Sequence, residues 1–270
     1  MTHMVDVGGQ YPDLVMESGR YHGWNMAITD KSVNAMTAAE TRNIVILTGA
    51  GISAESGLQT FRAADGLWEG HRVEDVATPE AYVRDPGLVH EFYDARRARL
   101  AEVEPNAAHR AIARLDAEWP GDLLIVTQNV DDLHERAGAK RLLHMHGELL
   151  SGWCLRCNER FSWATEMGED AGCPSCATIG LVRPDIVWFG EMPYEMDRIE
   201  AALMSCDLFV SIGTSGAVYP AAGFVQTAKY RGARTVEINL EPSQGSLLFD
   251  ERRYGMASVE VPAWVEEILG

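Results

Sequence analysis

The sequence predicts an α/β protein in which an open, mainly parallel sheet carries a smaller side lobe. Three observations predict it: an apolar run entering a glycine turn, further apolar runs alternating with helical patterns, and two CxxC pairs inside an insertion. The first is the most informative. Asn43 to Thr48 reads NIVILT and runs straight into Gly49-Ala50-Gly51-Ile52-Ser53-Ala54. That is a strand, a tight turn and a helix start, and it fits the G-x-G-x-x-A form of the dinucleotide-binding fingerprint in the required context. Gly49 permits the turn, Gly51 lets backbone approach a pyrophosphate, and Ala54 lets helix and strand pack closely. The N–H groups and partial positive charge of a helix start suit phosphate.

The remaining elements follow in order. Leu123–Thr127, Asp185–Phe189, Asp207–Ile212 and Thr235–Leu240 repeat the Val- and Ile-rich pattern of parallel strands buried on both faces. Helical patterns occupy Ala107–Glu118, Tyr194–Ser205 and Ala221–Tyr230. Such alternation places ligands near the carboxyl ends of the strands. Two insertions break it: residues 70–105, helical and Arg-rich, and residues 148–183, which hold four of the five cysteines. Both are expected beside the sheet, with a substrate cleft between the parts. Residues 1–40 show no clear periodicity and read as a poorly ordered extension.

Cys154-x-x-Cys157 and Cys173-x-x-Cys176 are separated by fifteen residues. Two such pairs suit one tetrahedral Zn²⁺ with four thiolates, a closed and therefore structural site. A redox dithiol or plain buried cysteines are the alternatives. Cys206 reads as a small apolar core residue.

A net charge of −17 argues against a nonspecific grip on nucleic acid, and the zinc insertion lacks the basic cluster of a nucleic-acid ribbon. No apolar run approaches a membrane span, so no membrane partner is expected. The first forty residues lack a signal-peptide core, and a cytoplasmic location follows as the default.

Polar residues close the strands where a ligand would lie. Gln128, Asn129 and Asp131 end LLIVTQNVDD, and Gly213-Thr214-Ser215 ends Asp207–Ile212. Asn239 and Glu241 close the next strand, where an acid accepts from a ribose diol. His144 and His146 fall between the polar strand end and the cysteine insertion, and a histidine takes a proton near neutral pH. An ordinary dehydrogenase would give a second apolar strand ending in an acid after the fingerprint. This chain gives FRAADGLW, residues 61–68, which reads as a loop and weakens hydride transfer.

GAGISAESGLQTFR, TQNVDDLH, HGEL, the two CxxC pairs, GTS and INLE stand in the order found in sirtuins, and the resemblance covers roughly residues 41–269. It implies an enzyme that consumes NAD⁺ to remove acyl groups from protein lysines. It also implies a Rossmann-like large part, 41–69, 106–147 and 184–270, and a small part of a helical module, 70–105, and a zinc module, 148–183. By motif, Gly49, Ala50, Gly51, Ser53, Phe61, Arg62 and Trp68 would wrap the cofactor, and Gln128, Asn129 and Asp131 would line its nicotinamide and ribose. Gly213, Thr214 and Ser215 would hold the diphosphate and adenosine side, Asn239 and Glu241 the adenine ribose, and Ala257 the adenine. His146 would be the general base, acting with Asn129, and His144 the lesser candidate. The implied reaction is attack of the acyl oxygen on C1′ of the nicotinamide ribose, loss of nicotinamide, attack of a ribose hydroxyl that His146 deprotonates on the acyl carbon, and hydrolysis to free lysine and O-acyl-ADP-ribose. The oligomeric state is left open, as are hydride transfer, a silent NAD- or ADP-ribose-binding module and ADP-ribosyl transfer.

Glu91–Leu100 reads EFYDARRARL, so Tyr93 and Arg96 share one helical face. A hydroxyl beside a guanidinium fork suits a carboxylate. At this position Y-x-x-R resembles the class III sirtuin signature, which implies succinyl- and malonyl-lysine substrates besides acetyl-lysine.

Overall fold

The computed structural model describes residues 41–60, 67–68 and 70–270. In chain order these form β1 (Asn43–Thr48), two 3₁₀ turns (Ala50–Ile52 and Ala54–Ser56), β2 (Leu67–Trp68), β3 (His71–Arg72), α1 (Val73–Val76), α2 (Pro79–Arg84), α3 (Pro86–Leu100) and α4 (Ala107–Glu118). There follow β4 (Asp122–Thr127), α5 (Leu133–Ala137), β5 (Leu142–His144), β6 (Gly147–Cys154), β7 (Arg160–Ser162), β8 (Val182–Ile186), α6 (Met196–Ser205) and β9 (Leu208–Ile212). The chain ends with a 3₁₀ turn (Ala221–Gly223), α7 (Phe224–Tyr230), β10 (Arg234–Asn239), a further 3₁₀ turn (Ser246–Leu248), β11 (Glu251–Tyr254) and α8 (Ala257–Leu269).

Six strands make one parallel sheet in the order β11-β10-β9-β1-β4-β5. Its two faces are written residue by residue in the strands. Ile44 and Ile46 of β1 join a core with Ile112 and Leu115 of α4 and Trp264 and Val265 of α8. Val45 and Leu47, pointing the other way, join Ile199 and Leu203 of α6 and Phe224, Val225 and Ala228 of α7. A period-two strand with apolar residues at both phases requires helices on both faces, and receives them. The strand order reverses between β1 and β9, so a crevice opens at their carboxyl ends.

The smaller lobe has two cores. Val76, Val89, Phe92 and Tyr93 of α1 and α3 pack with Leu149, Ile186 and Trp188, while a much smaller cluster groups Cys154, Met167, Ala171, Cys173 and Val182. α2 and α3 begin on caps the sequence supplies: Thr78 accepts from the Ala81 N–H and Asp85 from the Leu88 N–H, each followed by Pro at the first helical position. Among the described residues no helix is long and apolar enough to cross a membrane.

Three expectations need correction. The run Asp185–Phe189 is not a parallel strand. β8 ends at Ile186 and pairs antiparallel with β6 in the sheet β7-β6-β8. The next three amides are taken elsewhere: Val187 N–H by His146 O, Trp188 N–H by the Glu191 carboxylate and Phe189 N–H by Ala77 O. The fingerprint turn opens no α-helix either. Its two 3₁₀ turns stop at Gly57, which is left-handed at φ 103°. Ala54 is consequently exposed, and the buried contact falls to Ile52.

Candidate active site

The crevice at the β1/β9 reversal is the mouth of a cavity of about 970 Å³, within the size range of small-molecule sites. Here the fingerprint turn and the loop after β9 lie backbone to backbone: Gly49 N–H donates to Ile212 O at 2.9 Å and Gly51 N–H to Gly213 O at 2.8 Å. A Cβ on Gly51 would sit 2.7 Å from Gly213 Cα and O, so glycine is required by the approach of the neighbouring loop. Gly213 itself is left-handed at φ 64°. Among the described residues the amides of Ala50, Thr214 and Ser215 have no hydrogen-bond partner. All three residues line the cavity, and such amides fit a diphosphate. Three-residue 3₁₀ turns contribute little axial dipole, so this fit rests on the individual N–H groups.

At the end of β4, Gln128, Asn129 and Asp131 line the same cavity. Their geometry is organised by Ser53, whose residue is 1% exposed. Ser53 Oγ accepts from Asn129 Nδ2 at 3.1 Å and donates to Asp131 Oδ2 at 3.0 Å. His109 supports it from behind. The Asn106 amide donates to His109 Nδ1 at 3.3 Å, so the proton is on Nε2, which donates to Ser53 Oγ at 3.3 Å. Burial pushes the Asp131 carboxyl up to about 6, against the opposing hydrogen bonds from the Leu133 amide and Ser53.

The two histidines differ in their hydrogen-bond partners. His146 Nδ1 lies 3.1 Å from Gln128 O, an acceptor only, so Nδ1 carries the proton and Nε2 keeps its lone pair. Burial lowers the His146 pKa, with the Gln128 bond partly offsetting it, so the ring is neutral at physiological pH. His144 meets Glu135 Oε1 at 2.6 Å and Asn129 O at 2.9 Å, both acceptors. Burial alone would lower its pKa, but the Glu135 hydrogen bond and charge outweigh it and raise it. A ring donating from both nitrogens has no lone pair to offer, and His144 is not among the cavity-lining residues.

Asn239, Glu241 and Ala257 line the far end. Asn239 is spent largely on structure, its Nδ2 donating to Thr214 O at 2.9 Å and its Oδ1 accepting from Leu240 N–H at 3.0 Å. It thereby ties the loops after β9 and β10 together. Trp68 lines the cavity. Phe61 and Arg62 lie outside the described residues.

Tyr93 and Arg96 both reach the opposite wall of the cavity from α3. Tyr93 is fully buried, and its hydroxyl accepts from Trp188 Nε1 at 3.0 Å. The Arg96 guanidinium lies over the Phe92 ring at 3.3 Å and the Trp68 ring at 4.4 Å. Ala77, Val187, Trp188 and Phe189 also line this wall, and the sequence reading missed them as site residues. The available signal was Phe189, a large apolar residue at the end of a strand pattern, which proves 45% exposed.

The four cysteines converge. Their Sγ atoms all lie within 4.8 Å of one another, with Cys154–Cys176 at 3.7 Å and Cys157–Cys173 at 3.6 Å. Tetrahedral zinc with sulfur at about 2.3 Å needs edges of about 3.8 Å, so the set fits Zn²⁺. Both pairs are built alike. The amide of the first cysteine donates to the carbonyl five residues on (Cys154 to Glu159, Cys173 to Thr178), and the fourth residue, Asn158 or Ala177, is left-handed.

Fold and site together define a Rossmann-like protein with a zinc lobe and a dinucleotide-sized cleft. Residues 49–220 match the Sir2 family profile. A relative from Vibrio vulnificus (strain YJ016) named NAD-dependent protein deacylase is 59% identical over 230 residues, covering 84% of this chain and 94% of its own. One of the same name from Pasteurella multocida (strain Pm70) is 57% identical over 228 residues, covering 84% and 97%. Among solved structures, a Sir2 homologue–NAD complex superposes with a TM-score of 0.79 at 38% identity, covering 87% of this chain and 93% of that one. This chain belongs to the Sir2 family, the sirtuins.

Proposed function

We propose that the chain is an NAD-dependent protein-lysine deacylase that removes succinyl and malonyl groups as well as acetyl groups. Family membership and the deacylases at 57–59% identity carry the coarse activity. The acyl preference rests on one observation: a phenol and a guanidinium, Tyr93 and Arg96, line the cavity that holds His146. NAD⁺ supplies an electrophilic ribose carbon and a neighbouring hydroxyl, and one water is consumed in freeing the lysine, so the proposed products are nicotinamide, O-acyl-ADP-ribose and free lysine.

The residues have distinct tasks in this reading. Ala50, Thr214 and Ser215 offer amides to the diphosphate, while Asn239, Glu241 and Ala257 face the adenosine end. Ser53 holds Asn129 and Asp131 in register against the nicotinamide and ribose. His146 receives the hydroxyl proton on Nε2. The walls around the cavity orient two reactants and exclude water, which is where much of the acceleration would arise. The zinc module would hold the small part, 70–105 with 148–183, against the large one. The substrates would be acylated lysines of proteins met in the cytoplasm.

Two alternatives remain open to test: deacetylation alone, and a silent NAD- or ADP-ribose-binding module. The available Nε2 lone pair of His146 disfavours the second. Matched acetyl- and succinyl-lysine peptides, incubated with enzyme and NAD⁺ and followed by mass spectrometry, decide among the three. Loss of succinyl with O-succinyl-ADP-ribose formed is the expected result. Loss of acetyl alone would remove the carboxylate pocket, and loss of neither would leave a silent module.

A further inference from the structure

We infer that Trp188 is a positioning residue that aims the Tyr93 hydroxyl proton at the acyl tail of the substrate, and so sets a preference for tails carrying a hydrogen-bond acceptor. The inference rests on the deacylase reading above and goes beyond it, because it assigns the selectivity to an indole outside the Tyr93/Arg96 pair.

The chemistry is one of direction. Indole N–H only donates, so in the 3.0 Å contact Tyr93 oxygen is the acceptor. The phenol therefore keeps its own proton for another partner. Among the described residues no acceptor takes it. Tyr93 is 0% exposed, and a buried O–H without an acceptor is costly. Burial also raises the Tyr93 pKa, so the group remains a neutral donor. A carboxylate oxygen at the end of an acyl chain supplies the missing acceptor, whereas the methyl of an acetyl group does not. A hydroxyl that already accepts one hydrogen bond also donates more strongly.

The indole is fixed for this task. The Arg183 guanidinium lies 3.3 Å from the centre of the Trp188 ring. Arg183 is 3% exposed and holds Glu191 through two contacts, Nη1 to Oε1 at 2.7 Å and Nη2 to Oε2 at 2.9 Å. Glu191 Oε2 in turn accepts from the Trp188 backbone N–H at 2.8 Å. Face and backbone of Trp188 are thus both held by one ion pair, in the orientation that places its N–H on Tyr93. The same ion pair takes up the Trp188 amide, two residues past the end of β8.

The test compares kcat/KM for succinyl- and acetyl-lysine peptides in wild type, Trp188→Phe, Tyr93→Phe and the double variant. Trp188→Phe should lower the succinyl-to-acetyl ratio about tenfold, chiefly through KM for the succinyl peptide, the size expected for one hydrogen bond to a charged group. The double variant should lose no more of the ratio than Tyr93→Phe alone, because both changes remove the same directed proton. Replacing Trp188 with 3-benzothienylalanine, which keeps the ring and removes the N–H, separates this role from packing and should reproduce the lowered ratio. An unchanged ratio in the benzothienyl protein, equal losses on both peptides, or losses that multiply in the double variant would overturn the inference while leaving the deacylase reading intact. A wild type that ignores succinyl-lysine would overturn the inference together with the succinyl part of that reading.

Discussion

His146 and Arg96 show how much of this site depends on where single atoms are placed. The Gln128 carbonyl fixes the His146 proton on Nδ1, and burial keeps the ring neutral. A general base of this kind contributes about 10²–10⁴-fold. His146→Ala should therefore lose at least about a hundredfold in kcat, with zinc content and melting temperature unchanged. Near-normal turnover would remove His146 from the mechanism. Because its folded pKa is lowered, the base form persists below the ordinary histidine range, and the acidic limb of kcat/KM should fall below pH 6.5 rather than above it. Arg96→Met should reduce desuccinylation far more than deacetylation, since only the former offers a carboxylate to the guanidinium. Equal losses would refute the pocket. These residues were legible in sequence because their chemistry and spacing are local: H-G-E-L after a polar strand end, and Tyr and Arg three apart. Trp188 and His109 were not legible. Each matters through a side chain far away in sequence, Tyr93 for Trp188 and Ser53 for His109, and no one-dimensional pattern records such a pairing.

At the scale of elements, the central strands were readable because burial on both faces forces continuous Val, Ile and Leu. β1, β4, β9 and β10 fall where the apolar runs placed them, to within a residue or two, and α4 spans Ala107–Glu118 as the periodicity predicts. The edge strand β11 reads Glu-Arg-Arg-Tyr and carries no apolar signal. It is held by ion pairs of Glu251 with Arg234 of β10 and of Arg253 with Glu267 of α8, and by its ladder to β10. β8 was misplaced because Pro184, which has no ladder N–H, is compatible with the edge of a small antiparallel sheet, while the apolar run beside it suggests a central strand. The zinc module should depend on its metal for an elementary reason. Its own core contains only Cys154, Met167, Ala171, Cys173 and Val182 as buried residues, too few to hold a lobe of that size. Stripping zinc with a chelator should abolish amide-exchange protection across β6 and β7 while β1, β4 and β9 keep theirs. Retained protection in the small sheet after complete metal loss would show that packing alone suffices.

For the whole molecule, surface charge and buried titrating groups pull stability in opposite directions as pH falls. The net charge of −17 makes the folded chain repel itself, and acidification relieves that repulsion. Against it stand His109 and His134, both fully buried, with ring centroids 5.0 Å apart between α4 and α5. Burial, helped by the Arg110 charge, lowers His109 to about 4, and burial, helped by the neighbouring histidines, lowers His134 well below its ordinary value. The folded state thus favours the neutral rings. Their contribution is fully present above the unfolded histidine pKa of about 6.5 and is lost as pH falls through that value toward the folded one. For His109 alone the loss is on the order of 3 kcal/mol, a large share of an ordinary domain's stability. Surface repulsion is spread over exposed charges and is screened over about 8 Å at physiological salt, and the raised Asp131 carboxyl, which binds its proton more tightly in the fold, offsets one ring at most, so the two buried histidines should win. Melting temperature should fall steadily from pH 6.5 to 4.5 in 0.15 M salt, and the fall should persist at 1 M salt. In His109→Gln, which keeps a side-chain amide near Ser53 and cannot titrate, the slope should flatten and the protein should start less stable at pH 7.5. An unchanged slope in that variant would assign the acid sensitivity to other groups. Because His109 also supports Ser53, the same variant should weaken binding of ADP-ribose, which joins the acid response of the fold to the integrity of the site.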